Sequence, residues 1–235
     1  MDKKFFKEAP FSGLEFIKQL KTQSKFNFKP ANEGLTKYGK SLSLGFSCLA
    51  LKSYYMTSEW SKLSENEKIN WLSFINSFQV ESSRFPRNSY IDDEMIKSYL
   101  NRSLNTKVKD FLKNSLNLLP NYNFDSVNSR LNKAINAETK QAVSTLYEVG
   151  SANKNKIDEI YYEGDSHIDY LKNLDWSKPW SSGAQFSSMC VFSTTQDLDL
   201  KKDLEIFIDG VADLNTGSYF TKYPNSNREI INGAM

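Results

Sequence analysis

The stretch GFSCLA at residues 45–50 decides the fold, because its pattern of small residues around a cysteine returns as GAQFSSMC at residues 183–190. In both places an amphipathic segment follows, and then a turn that contains an aromatic residue. The turns are SSRF at residues 82–85 and NTGSYF at residues 215–220. A repeated pair of helical segments is typical of helical-hairpin architectures. The sequence therefore predicts an all-α fold built from helical hairpins.

Capping signals and prolines mark the boundaries of the predicted helices. Ser12 stands three residues before Glu15, which is the spacing of a capping box. Ser64 and Glu67 repeat this spacing. Further helices are predicted over about residues 107–118, 125–149 and 155–174. All six prolines lie between the predicted helices, where a missing backbone N–H costs little.

Composition excludes some classes of partner. The chain has 235 residues, with 30 basic and 28 acidic side chains and a formal net charge of +2. These charges are scattered, without the basic stripe that would neutralise a nucleic-acid backbone, so no nucleic-acid partner is expected. No apolar run approaches the ~18 residues needed to span a bilayer, and no secretory leader is recognisable. Cys48 and Cys190 lie in apolar helical segments and are expected to pack as small hydrophobes in a cytoplasmic protein.

The last residues indicate a further helix. Ser226 and Glu229 have the capping-box spacing, and the helix that they predict reaches only Met235. A helix that stops without a C-cap is unusual. We therefore interpret residues 1–235 as a single α-helical domain that is either the N-terminal part of a longer protein or ends at Met235 with a frayed helix.

The turns at residues 78–85 and 213–220 resemble the Q-x-x-x-G-x-[WF] turns of α/α toroids. Such turns occur in terpenoid cyclases and protein prenyltransferases, and six-hairpin glycosidases share the toroid architecture. The stretch WSSGAQ at residues 180–185 is similar to the start of an inner helix in these folds. The resemblance implies a partial or complete toroid whose inner helices surround a funnel. Five aromatic residues would then lie at its rim: Phe85, Trp176, Trp180, Tyr219 and Phe220.

The catalytic motifs of the isoprenoid families are missing. The segment DLDL at residues 197–200 does not match the D-x-D-D acid of the cyclases. His167 is the single histidine, and no aspartate lies two positions before Cys190, so the zinc ligands of the prenyltransferases are absent. The sequence thus predicts no metal and no cofactor, and it does not support isoprenoid chemistry.

The segment EGDSHIDY at residues 163–170 is the densest cluster of polar side chains in the sequence. Paired carboxylates beside aromatic rings are what glycoside hydrolysis requires, with one acid and one base. The candidate catalytic residues are Asp165, His167, Asp169 and Asp175. The candidate sugar-stacking residues are Trp176, Trp180, Tyr219 and Phe220. The alternative is that these charges form an ordinary solvated helix face.

Three hypotheses for the function follow from the sequence. The first is a toroid enzyme that acts on a carbohydrate by carboxylate acid–base chemistry. The second is a noncatalytic helical-repeat or toroid module that binds a partner, such as a small molecule or glycan, through the same face. The third is an isoprenoid-handling toroid without the usual catalytic motifs. Whether the protein is an enzyme, which substrate it takes and its oligomeric state are left open by the sequence.

Overall fold

The computed structural model describes residues 3–101, 103–119, 124–176, 178–212 and 219, without the side chains of residues 3–7 and 179. Within these ranges the protein contains nine α-helices, one short 3-10 helix and no strand, which confirms the all-α prediction. The helices are α1 (Lys3–Gln19), α2 (Leu44–Met56), α3 (Glu65–Asn76), α4 (Asp93–Leu100), α5 (Leu104–Leu116), α6 (Val127–Glu148), α7 (His167–Asn173), α8 (Pro179–Thr195) and α9 (Lys201–Val211), with the 3-10 helix at Trp60–Lys62.

The chain divides into two compact units. Unit 1 comprises Met1–Glu81 and Ser89–Asn155, and unit 2 comprises Ser82–Asn88 and Lys156–Met235. The two small-residue segments lie in α2 of unit 1 and in α8 of unit 2. The single domain and the toroid arrangement stay predictions. No helix among the described residues is both long enough and apolar enough to cross a bilayer.

Unit 1 is organised around the packing of α2 against α6. On α2, the residues at helical spacing Leu44, Cys48 and Leu51 are completely buried. On α6, Ile135 and Leu146 are also completely buried. Burying a side chain of this size contributes about 1.5–3 kcal/mol, so this face holds the unit together. The prediction that Cys48 packs as a small hydrophobe is confirmed.

The start of α2 is capped from outside the helix. Ser43 occupies the N-cap position, but its side chain makes no cap hydrogen bond. Instead the Asp92 Oδ2 atom accepts hydrogen bonds from the backbone N–H groups of Ser43 at 2.7 Å and Leu44 at 3.1 Å. Asp92 is itself the N-cap of α4 and accepts from the Glu94 N–H at 3.0 Å. One carboxylate therefore caps two helices, and the helix dipoles favour its charge there.

The structure confirms some predicted helix boundaries and corrects others. The Ser64 capping box is present at the start of α3, with both reciprocal hydrogen bonds. The Ser12 cap is wrong, because α1 begins at Lys3 and Ser12 lies inside it. Pro10 also lies inside α1, so not every proline falls between helices. There it costs the helix one backbone hydrogen bond.

Unit 2 packs α7, α8 and α9 against one another. Of the helix predicted over residues 155–174, only α7 forms, because Ser166 caps a helix that begins at His167. Gly164 before it has a φ of +105°, which is outside the helical range. Upstream, the Ile157 N–H donates to the Gln196 side chain at 3.1 Å rather than to a helical carbonyl. The loop before α7 is thus held by side-chain contacts.

Candidate functional site

Asp169, one of the predicted catalytic residues, stabilises the start of α7. Its backbone N–H donates a hydrogen bond to the Ser166 hydroxyl at 3.1 Å, and that hydroxyl donates to the Asp169 Oδ2 atom at 2.7 Å. The carboxylate lies in the first turn, where the helix dipole favours negative charge. Asp165 is exposed and lies just before this cap. A capping role accounts for Asp169, and the catalytic roles of both residues stay predictions.

His167 is paired with a residue that the sequence analysis did not single out. Its Nδ1 atom lies 3.4 Å from the Asp203 Oδ2 atom, and both side chains are partly exposed. The imidazole also packs on the Tyr162 ring, with 4.3 Å between the ring centroids. Asp203 lies on α9, far from His167 in the sequence, so no local spacing could have indicated the pair. A carboxylate beside a histidine orients the imidazole ring.

Asp175 makes local contacts beyond the end of α7. Its Oδ2 atom lies 2.5 Å from the Lys178 ammonium, and this ion pair is largely exposed. Its backbone carbonyl accepts a hydrogen bond from the Ser182 hydroxyl at 2.9 Å, near the start of α8. Exposed ion pairs of this kind contribute little to stability. The structure therefore places Asp175 at the junction of α7 and α8, and its catalytic role stays a prediction.

The predicted rim aromatics occupy different environments. Trp176 is only 2% exposed, its indole N–H donates to the Leu171 carbonyl at 2.7 Å, and its ring stacks on Phe207. A ring in the core cannot stack on a sugar, so the rim position predicted for Trp176 is wrong. Trp180 is 84% exposed near the start of α8. Tyr219 forms an isolated bridge with Ala212, and Phe220 lies outside the described residues.

A pocket of about 320 Å³ lies in unit 1 between α2 and α6. Its apolar wall comes from the residues Leu42, Phe46 and Leu49. Its polar wall comes from the residues Asp92, Glu138, Lys140 and Gln141. A mostly apolar concavity with a few convergent polar groups is the usual form of a small-ligand site. We call this the α2/α6 pocket.

Glu138 is an acid that lines this pocket and has a raised pKa. Burial, and then the charge of Asp92, raise the pKa of the Glu138 carboxyl from 4.5 to about 7. Its Oε2 atom is buried and has no hydrogen-bond partner. Gly45 allows the close approach of this carboxyl to α2, since a Cβ there would lie 3.3 Å from the Glu138 Oε1 atom. A carboxyl with an unused oxygen thus lies at the pocket wall and changes its protonation state near pH 7.

Gln141 supplies a second unused polar group at the same wall. Its Nε2 atom is buried and has no hydrogen-bond partner. Residues three apart on a helix share a face, so this amide and the Glu138 carboxyl lie on the same side of α6. Buried polar atoms are nearly always paired in folded proteins, so two unpaired ones beside one pocket call for an explanation. A ligand that both accepts and donates hydrogen bonds would satisfy them.

The spacing of apolar residues in α6 is the sequence signal that points to Glu138. Within α6, Glu138 falls between Ile135 and Ala142, both completely buried, at three- and four-residue intervals. An acidic residue on the apolar stripe of a helix is expensive to bury and is a candidate for a functional role. Glu138 has no neighbouring carboxylate or aromatic residue in the sequence, and Asp92 approaches it only in the folded protein.

A second, larger groove of about 690 Å³ lies in unit 2 between α8 and α9. Its apolar lining includes Phe186, Leu204 and Ile208, and its acidic lining consists of Glu205 and Asp209. Lys201 lies 3.8 Å from Glu205 in an exposed ion pair. Burial raises the pKa of the Cys190 thiol in this groove, which makes it a poor nucleophile. The charged groups here are solvated and lack the unpaired buried atoms of the α2/α6 pocket.

The described ranges contain no cluster of three His, Cys, Asp or Glu side chains that could hold a metal ion. Among the cavities described, the α2/α6 pocket is distinguished by the unpaired buried polar atoms of Glu138 and Gln141 at its wall. Comparisons with known protein families, with curated proteins and with solved structures find no match to this chain.

Proposed function

We propose that the α2/α6 pocket binds a small hydroxyl-rich ligand, such as a sugar unit of a glycan, and that Glu138 exchanges a proton with it. The observation that carries this proposal is the pair of buried, unpaired polar atoms, Glu138 Oε2 and Gln141 Nε2, beside the pocket. Hydroxyl groups donate and accept hydrogen bonds and would satisfy both atoms. The apolar side chains Phe46 and Leu49 supply a wall for the C–H face of a sugar ring.

The proposed chemistry is general acid catalysis by Glu138. An acid works best when its pKa lies near the working pH, and the pKa of Glu138 is raised to about 7. Burial raises that pKa most and the charge of Asp92 raises it further. The Asp92 oxygens already accept three backbone N–H bonds. We therefore assign Asp92 an electrostatic role and no proton transfer. In a glycosidic substrate, Glu138 would donate its proton to the leaving oxygen as the bond to the sugar carbon breaks, while a water molecule adds to that carbon and releases a proton to solvent.

A noncatalytic binding module is the second candidate. It is favoured because Asp92 already caps two helices. Among the residues that line the pocket, no second free carboxylate is then left to activate water. In this case Glu138 and Gln141 recognise the ligand and transfer no proton. The two candidates share the pocket and differ only in turnover.

The toroid arrangement and cytoplasmic residence are part of the same proposal. Support for the toroid is the recurrence of a small-residue helix, as α2 and again as α8. Support for the cytoplasm is that both cysteines are free thiols, as is usual in a reducing compartment.

The experiment that tests the proposal compares Glu138→Gln with the wild type in ligand binding and turnover. Saturation-transfer NMR against a panel of oligosaccharides finds binders, and aryl glycosides of those sugars report turnover. We expect Glu138→Gln to retain binding and to lose turnover by about 100-fold or more. Glu65→Gln, an exposed acid in the first turn of α3, is the matched control and should leave both unchanged.

The other outcomes decide between the candidates. Binding without turnover in the wild type, weakened by Glu138→Gln, supports the noncatalytic module. The assignment of the site is contradicted if the wild type binds no sugar. It is also contradicted if Glu138→Gln changes neither binding nor turnover.

A further inference from the structure

The helix α5 presents its apolar residues outward. Leu104, Val108, Phe111 and Leu112 recur at three- and four-residue intervals and form one stripe. The apolar side chains of the helix and its end are each between 38% and 87% exposed: Leu104, Val108, Phe111, Leu112, Leu116, Leu118 and Leu119. Isolated exposed apolar residues are ordinary, but a continuous stripe of this length marks an interaction surface.

The polar side of α5 is the side that contacts the rest of unit 1. Asp110 pairs with Arg130 of α6 at 2.8 Å. Asn117 exchanges two hydrogen bonds with the backbone of Phe124, at 2.7 and 2.8 Å, just before α6 begins. Asp110 and Asn117 are seven residues apart and share a face. An amphipathic helix of a globular protein normally turns its apolar face to the core, so this orientation is reversed and is held by specific polar contacts.

The charges on α5 border its outer stripe. Given 3.6 residues per turn, Lys107 lies at one edge of the stripe and Lys109 at the other. The segment from 103 to 119 holds a single carboxylate, Asp110, and that carboxylate faces Arg130. The outer surface of α5 is therefore apolar along its centre and positive along both edges.

We propose that this outer surface of α5 lies in the interface of an anionic lipid membrane, with the apolar stripe among the acyl chains. Lysines at the edges of such a stripe extend their ammonium groups toward lipid phosphates and carboxylates while their methylene stems stay with the apolar face. The helix lies parallel to the membrane plane and does not cross it. Charge complementarity selects this occupant, because the surface offers cations at both edges and no anion.

A second copy of this chain fits the surface less well. Pairing two α5 helices through their apolar stripes would bring the lysine edges of one copy against those of the other. No carboxylate on the outer side of α5 is available to neutralise them. Like charges at such a seam destabilise the pairing, whereas an anionic lipid surface neutralises both edges at once.

The test is cosedimentation of the full chain with phosphatidylcholine vesicles, with and without phosphatidylserine. We expect binding to the anionic vesicles that weakens as salt rises from about 0.05 to 0.5 M. The variant Lys107→Gln/Lys109→Gln should weaken the partition coefficient by about thirtyfold, from the usual contribution of each lysine near an anionic surface. The matched control Lys172→Gln/Lys202→Gln removes the same charge from exposed positions in unit 2 and should bind as the wild type does.

A second variant pair tests the apolar stripe. Phe111→Ser/Leu112→Ser changes two exposed residues, so the fold should persist, and binding to anionic vesicles should fall at least tenfold. Met56→Ser/Ile69→Ser changes two equally exposed apolar residues away from α5 and should have no effect on binding. Equal binding to neutral and anionic vesicles overturns the proposal. So does the absence of vesicle binding, or a dimer in sedimentation equilibrium that Phe111→Ser/Leu112→Ser dissociates without any vesicle binding.

Discussion

Glu138 links the candidate chemistry to the stability of unit 1. Its carboxyl has a pKa of about 7 in the fold, against 4.5 for an unperturbed glutamate. The folded protein therefore holds this proton between pH 4.5 and 7, where the unfolded chain releases it. Between pH 4.5 and 7 the folded state binds more protons than the unfolded state does. The contribution of Glu138 to the free energy of unfolding is therefore fully present below pH 4.5 and is lost as pH rises to about 7.

We expect the free energy of unfolding of Glu138→Gln to depend less on pH than that of the wild type. Ionising Glu138 costs the wild type up to about 3 kcal/mol by pH 8, and glutamine cannot ionise. Urea unfolding between pH 5 and 8 measures both slopes. Glu65→Gln should keep the wild-type slope. Parallel curves for Glu138→Gln and the wild type would show that Glu138 is not buried as described.

Trp176 and Trp180 show how differently two tryptophans four residues apart can act. The sequence predicted that both line a rim, but Trp176 is in the core of unit 2 and Trp180 is exposed. We expect Trp176→Ala to destabilise the protein by about 3–5 kcal/mol. Trp180→Ala should change stability by less than about 0.5 kcal/mol. Thermal unfolding measures both, and a large effect of Trp180→Ala would contradict its exposed position.

The capping-box spacing occurs in both α1 and α3, but it forms a cap only in α3. Ser64 and Glu67 form the capping box of α3, whereas Ser12 lies in the exposed interior of α1. We expect Ser64→Ala to cost about 1 kcal/mol, because the Glu67 backbone N–H loses the Ser64 hydroxyl that accepts its hydrogen bond. Ser12→Ala should be neutral or slightly stabilising, since alanine is the better helix former. Chemical denaturation of both variants distinguishes them, and equal losses would mean that Ser12 is also a cap.

Helices with a long apolar stripe were the easiest to predict from the sequence. The prediction over residues 125–149 matches α6 (Val127–Glu148) closely, because its stripe runs for 22 residues. The prediction over residues 155–174 succeeded only for α7. The backbone before α7 is held by a distant side chain, Gln196, and no local pattern reports such a contact.

The candidate site was much harder to predict than the fold. Asp165, Asp169 and Asp175 are close together in the sequence, which predicts a shared site, but the structure gives Asp169 and Asp175 local partners at helix ends. Asp92 and Glu138 are far apart in sequence, and only the packing of the helices brings them to one pocket. The apolar stripe around Glu138 was the one local sign that this acid is buried.

The two units hold different candidate surfaces. Unit 1 holds the α2/α6 pocket and the outward apolar stripe of α5. Unit 2 holds the His167–Asp203 pair and the groove between α8 and α9. The proposed sugar chemistry and the proposed membrane contact both depend on unit 1, through separate surfaces. Variants of α5 therefore leave the pocket unaltered, and variants of Glu138 leave vesicle binding unaltered.

The proposed function depends above all on the protonation of Glu138, and carbon-detected NMR of its side-chain carboxyl follows that proton directly. Titration of the wild type from pH 3 to 9, with the resonance assigned by its loss in Glu138→Gln, gives the pKa. We predict a midpoint near 7. A midpoint near 4.5, the value of a solvated glutamate, would contradict both the burial of this carboxyl and its assignment as the acid of the α2/α6 pocket.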